Sequence, residues 1–160
     1  MITISGTLMP GARLDVYREL VRGAEQREIP VIIDSQKAPL QRALRHHPLI
    51  VKLNVHELEN TLGRKLRSER AILHAAGELI EAGGRNVVVT DGARGAWLVS
   101  PDKAWHFQPP AIQAVNPIGS GDAVTAGIAH GLQQKRLLSE AVSLGIACGA
   151  ANAWVPTASP

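Results

Sequence analysis

Val31-Ile32-Ile33 is an unbroken β-branched run, and a strand that is apolar at every position is one buried on both faces. Sheets covered on both faces are built from strands alternating with helices, so this run predicts an α/β layered fold. The flanks agree. Upstream, Ile2-Thr3-Ile4-Ser5 reads as a short strand entering a Gly/Pro turn, and Leu14, Tyr17, Leu20, Val21 and Ala24 fall on one helical face. Downstream, a helix is expected over 39–45, a second buried strand at Leu49-Ile50-Val51, and a helix from Asn54 to a stop at Gly63. Ser68 can cap a longer helix whose stripe is Ile72, Ala76, Leu79 and Ile80 and which Gly83-Gly84 ends. Val87-Val88-Val89 is the centre of a strand over 86–90. Segments 96–99 and 104–107 read as a hairpin turning at Pro101-Asp102, and helices over 119–132 and 140–154 finish the chain. The last is rich in Ala and Gly and is expected to pack close to a neighbour. The whole reads as one body over 1–155 with a frayed tail over 156–160: a three-layer, mostly parallel sheet with helices on both faces.

Composition narrows the function. A chain of 160 residues can bury a real core, and with only 3% aromatic residues that core must be aliphatic. There are 17 Lys and Arg against 14 Asp and Glu, and no basic stripe interleaved with aromatics, which argues against nucleic acid as a partner. No apolar run nears the roughly 20 residues of a membrane span. Met1 to Gly6 lacks the charged and apolar regions of a signal peptide, and the single cysteine, Cys148, excludes an internal disulfide framework; both fit a cytoplasmic protein. Cys148 is expected to be packed and inert. The six histidines (46, 47, 56, 74, 106 and 130) show no metal spacing, and Trp97, Trp105 and Trp154 are expected in core or hairpin packing.

Chemistry concentrates in Asn116-Pro117-Ile118-Gly119-Ser120-Gly121-Asp122-Ala123. Gly119 and Gly121 let the backbone approach a ligand. The free N–H groups and dipole of the following helix favour an anion, and Ser120 adds a hydroxyl donor. Asp122 puts a carboxylate at the same spot, suited to deprotonating a hydroxyl as phosphate arrives. An acidic first turn is also an ordinary helix start. The stretch is neither a P-loop, because Gly-Lys-Ser/Thr is missing, nor a dinucleotide fingerprint, because Val124 stands where the third glycine belongs.

Three further segments lie at expected strand ends. Asn54-Val55-His56-Glu57 is a capping box, and Glu57 could also hold hydrated Mg²⁺. Thr90-Asp91-Gly92-Ala93-Arg94-Gly95 suits either a hairpin-type turn or phosphate contact. Ser5-Gly6-Thr7-Leu8-Met9-Pro10-Gly11 is a glycine turn between strand and helix.

In order and spacing, these four segments resemble the ribokinase-type carbohydrate kinase family. Gly119 to Asp122 matches its Gly-Ala/Ser-Gly-Asp motif, Asn54 and Glu57 its Asn-x-x-Glu, and Thr90, Gly92 and Gly95 its Thr-x-Gly-x-x-Gly. Ser5 to Gly11 is similar to its Ser-Gly-Ser-Leu-Pro-Pro-Gly. The Asn-Pro-x-Gly-Ser-Gly-Asp form looks most like the tagatose-6-phosphate kinase and 1-phosphofructokinase branch. The resemblance implies transfer of phosphate from ATP, with Mg²⁺, to a sugar or sugar phosphate. Asp122 would be the base, and the backbone of Gly119, Ser120 and Gly121 the anion hole. Glu57 would hold Mg²⁺ through water, Asn54 would lie near the phosphates, Thr90, Gly92 and Gly95 would flank the nucleotide, and Asn152 would border the adenine site. Leu53 and Met9 replace family prolines. Asn116 stands where many relatives have an aspartate linked to a monovalent cation, which leaves cation dependence open.

Family members run to about 300 residues, beyond the size of a typical single core. The resemblance covers the C-terminal half and implies that the sugar-gripping half is absent. The chain alone is then expected to be inactive on sugars. A reading of another class is a non-catalytic module with a relic fold, its open sheet edge and apolar face pairing with a partner or a second copy.

Overall fold

The computed structural model describes residues 1–156. Its six strands lie in the order β1 (Ile2–Ser5), β2 (Val31–Asp34), β3 (Ile50–Asn54), β4 (Val87–Thr90), β5 (Ala96–Val99) and β6 (Ala104–Phe107). β1 to β4 are parallel, and β5 and β6 add an antiparallel hairpin. The period-2 alternation of strands explains the layers. Ile33, Val51, Leu53, Val87 and Val89 point to one face, where they pack with the buried sides of α1 (Val16–Glu25), α2 (Lys37–Leu44), α3 (Val55–Leu62) and α4 (Glu69–Glu81). Ile32, Ile50, Val88 and Leu98 point to the other, against α5 (Ser120–Gln133) and α6 (Leu138–Trp154). No described helix is long and apolar enough to cross a membrane.

The helix ends follow their sequence signals. Asn54 closes a full capping box on α3, Gly63 ends it at φ 69°, and Ser68 Oγ accepts from Ala71 N at the start of α4. α5 and α6 meet almost backbone to backbone. A β-carbon on Gly127 would lie 2.7 Å from Gly145 Cα, and one on Gly131 2.8 Å from Ala141 Cα. The close packing expected of the Ala/Gly-rich helix is therefore present.

Several details differ from the sequence reading. α2 starts at Lys37 rather than residue 39, because proline is tolerated anywhere in a first turn, where N–H groups have no helical partner. β3 runs to Asn54, carrying the buried Lys52 and Leu53 inside the sheet. The α1 stripe is narrower than expected: Tyr17, Val21 and Ala24 are buried, whereas Leu14 and Leu20 are exposed. Trp97 is buried and stacks on His106, and Trp105 is half-buried, but Trp154, the last residue of α6, is 65% exposed. Residues 157–160 of the expected tail lie outside the described residues.

Candidate active site

Four chain segments converge at the carboxyl ends of β1, β2 and β3, the side of a parallel sheet where ligands bind. They frame a cleft of about 240 Å³ whose charged lining is Asp34, Lys52, Glu57 and Asp122. Pockets that enclose a small ligand span roughly 300–1,000 Å³, so this cleft can grip one end of a ligand but not surround it.

The turn into α5 is built by Gly119 in the left-handed region, φ 81°, which brings Ser120 into the helix without a side-chain cap. Ser120 N donates to Pro117 O at 3.1 Å, so its backbone N–H is spent within the turn, while Gly119 and Gly121 face the cleft. Asn152 on α6 steadies the turn from behind: its Nδ2 donates to Ile118 O at 2.9 Å and to Ser120 Oγ at 3.2 Å. Asp122 is exposed at the mouth. Its Oδ1 accepts from Ser5 Oγ, at the end of β1, at 2.7 Å across 117 residues of sequence.

The second wall is the cap of α3. Asn54 Oδ1 accepts from Glu57 N at 2.9 Å, and Glu57 Oε2 accepts from Asn54 N at 2.8 Å. Both residues line the cleft, so the cap also sets a carboxylate there. Thr90 is the register partner of Asn54 on β4 and stands one strand further from the cleft.

The remaining sequence candidates part company here. Asn54, Glu57, Gly119, Gly121 and Asp122 line the cleft, and Ser120 and Asn152 lie behind it. Thr90, Gly92 and Gly95 do not line it. A β-carbon on Gly95 would sit 2.3 Å from Phe107 O and 2.8 Å from His106 Nε2, so the hairpin by itself requires that glycine. Gly92, at φ 54°, has open space around it.

The floor of the cleft was not legible as a motif. Asp34 and Lys52 are register partners on β2 and β3. Lys52 Nζ donates to Asp34 Oδ2 at 2.7 Å, and Thr125 Oγ1 of α5 donates to the same oxygen at 3.1 Å; all three residues are buried. The signal available was parity: Asp34 shares a face with Ile32 and Lys52 with Ile50, so two opposite charges meet under α5. Gln36, also in the lining, carries the only buried side-chain polar atom without a partner among the described residues, its Oε1.

Known proteins share this fold. A family model for the pfkB family carbohydrate kinases matches residues 1–159. The 1-phosphofructokinase of Borreliella burgdorferi is 29% identical over 153 residues, 95% of this chain and 50% of its own. That of Escherichia coli K12 is 31% identical over 150 residues, 94% of this chain and 48% of its own. Among solved structures, Escherichia coli phosphofructokinase-2 in complex with substrates and products superposes with a TM-score of 0.85 at 30% identity, over 95% of this chain and 50% of that one. The same enzyme in complex with potassium reaches 0.90, also at 30% identity, over 98% and 51%. The chain thus spans about half the length of the relatives it matches. Its mostly parallel sheet, its paired helix layers and the family match over nearly every residue lead to one conclusion: the chain belongs to the pfkB family of carbohydrate kinases.

Proposed function

We propose that residues 1–155 are the ATP-binding, catalytic portion, C-terminal in the family's order, of a cytoplasmic kinase that phosphorylates a hydroxyl of a sugar or sugar phosphate. The 1-phosphofructokinases and tagatose-6-phosphate kinases are the nearest model. One observation carries the reading: Asp122 Oδ1 accepts a hydroxyl hydrogen bond at the first turn of α5, in the cleft that Glu57 also lines.

On this reading Asp122 removes the proton of the acceptor hydroxyl. The freed oxygen bonds to the γ-phosphorus, the bond from that phosphorus to the β–γ bridging oxygen breaks, and ADP leaves with the electron pair. The proton ends on Asp122. Gly119 and Gly121 present backbone N–H groups and the positive end of α5 to the phosphoryl oxygens, with the Ser120 hydroxyl alongside. Asn54 lies near the phosphates, Asn152 borders the adenine, and Thr90, Gly92 and Gly95 flank the nucleotide. Mg²⁺ fits the residues present: Glu57 offers a carboxylate at a strand end, and the unpartnered Gln36 Oε1 needs the kind of donor that metal-bound water supplies. Glu57 would hold the ion through water, and the ion would neutralise phosphate charge.

The test has two arms. Calorimetric titration of Mg·ATP into the purified chain should show binding; none at millimolar nucleotide would sink the nucleotide site. In a chain carrying the whole kinase domain, Asp122→Asn should lower turnover by at least ~10²-fold with ATP affinity nearly unchanged. A mutant retaining most of its activity would remove Asp122 from the chemistry. The 160-residue chain alone should give no sugar-dependent ADP release, because nothing in it holds the acceptor in line with the γ-phosphorus.

A second reading, self-association, is favoured by the free edge of the sheet. β1 is one of the two edge strands, and Met1, Met9, Leu14, Val16 and Leu20, just before and after it along the chain, are all exposed. Light scattering separates the two: a monomer at high concentration argues against the second copy.

A further inference from the structure

We propose that Lys52 is a positioning residue for the turn into α5: its ammonium fills the space that a side chain at position 121 would take, and so fixes the height and the positive charge of the turn. The proposal rests on the reading of that turn as an anion site, and it concerns a residue to which the motifs give no role.

The geometry carries it. A β-carbon on Gly121 would lie 2.7 Å from Lys52 Nζ and 4.0 Å from its Cε. The sequence suggested that Gly121 is a glycine so that a ligand can approach; the space is in fact taken by an ammonium from below. The tip of a lysine can ordinarily swing aside, but here it cannot do so freely. Lys52 is 3% exposed, and its Nζ is held by Asp34 Oδ2 at 2.7 Å, an oxygen pinned in turn by Thr125 Oγ1. Gly121 O, one turn back on α5, lies 3.2 Å from the same hydroxyl, so the single Thr125 proton is shared between that carbonyl and Asp34 Oδ2. Asp34, Lys52, Thr125 and Gly121 thus form a closed circuit joining β2, β3 and α5. A buried ion pair is poor at adding stability but good at enforcing one arrangement. In this circuit the arrangement enforced is the seat of α5, and the pair, neutral overall, turns its ammonium end toward the first N–H groups, so that its dipole adds to that of the helix.

The experiment is a double-mutant cycle of Lys52→Met and Gly121→Ala, read by thermal unfolding and by Mg·ATP titration. Methionine keeps the stem, lacks the ion pair, and can swing away from a β-carbon. Gly121→Ala should lower the melting temperature of the wild-type chain, yet be neutral or stabilising in the Lys52→Met background, where alanine regains its helix preference over glycine. Lys52→Met should weaken Mg·ATP roughly tenfold, the size of one charge-assisted interaction. Additive melting shifts would overturn the proposal, and so would coupled shifts with unchanged Mg·ATP affinity, which would mark a purely structural pair. If Lys52→Met fails to fold, Asp34→Asn with Lys52→Met removes both buried charges and serves as the background instead. Wild-type chain that binds no Mg·ATP would defeat the proposed nucleotide site and with it the charge role, while the unfolding cycle still decides whether Lys52 seats the turn.

Discussion

Two glycine turns in this chain carry the same kind of sequence signal and exist for different reasons. At 119–122 the space left by a missing side chain is taken by the buried Lys52 ammonium, and the turn faces the cleft. At 92–95 the space beside Gly95 is taken by the backbone carbonyl of Phe107, and the turn faces away from the cleft. Glycine spacing reports that something approaches closely; it does not report whether that something is a ligand, a charge or the next strand. One turn borders the cleft and the other closes on a hairpin.

The contrast can be broken most directly at Gly95. Its φ of 104° and the 2.3 Å approach to Phe107 O leave no room for a methyl group, so Gly95→Ala should destabilise the chain by upwards of ~2 kcal/mol in thermal or urea unfolding. A variant as stable as wild type would show that the hairpin does not need this glycine. The next effect sharpens the cleft side. Asn54→Ala removes a cap and should cost ~1 kcal/mol, whereas Glu57→Gln keeps an oxygen for the Asn54 N–H and should cost little. If Glu57 serves only the cap, Glu57→Gln should leave Mg·ATP affinity untouched; on the reading above it weakens it. Affinity by calorimetry beside unfolding by circular dichroism separates the two roles.

The smallest expected effect lies outside both turns and serves as their control. Glu59 lies in α3 and reaches the connection to α4, where the Lys65 ammonium and then the Leu66 N–H hold its carboxyl below the usual carboxylate value. The folded form therefore releases this proton more readily than the unfolded chain does. Its stabilisation is present above the ordinary carboxylate range and is lost as pH falls through the lowered value. Melting temperature against pH should show a slightly shallower acid limb in Glu59→Gln than in wild type, because an exposed pair contributes little. Mg·ATP affinity should not change.

What the sequence made legible was whatever local pattern dictates. Val31-Ile32-Ile33 and Val87-Val88-Val89 became central strands because nothing but a two-sided core accommodates such runs. Asn54 and Ser68 became caps because their side chains answer the free N–H groups three residues on. The floor of the cleft was hidden for the opposite reason. Lys52 follows Leu49-Ile50-Val51 and reads as the polar end of a strand, and only its pairing with Asp34 on the next strand makes burial tolerable. Leu14 and Leu20 have the right spacing for a buried stripe, but α1 lies beside the outermost strand and has no neighbour on that side. Trp154, the last residue of its helix, is exposed rather than packed.

The strand order also says something about time. Each strand pairs only with its neighbours in sequence, from β1 through β6, so the sheet can grow by closing short loops as the chain lengthens. The cleft cannot. The Ser5–Asp122 bond spans 117 residues and the Asp34–Thr125 bond 91, and both wait for α5. A chain leaving the ribosome can therefore zip most of its sheet before α5 exists, and the face that α5 and α6 will cover stays open to water until those two helices have emerged. The cleft is completed only once α5 has emerged, and the exposed Ile32, Ile50 and Val88 of that interval are where a stalled chain would first aggregate.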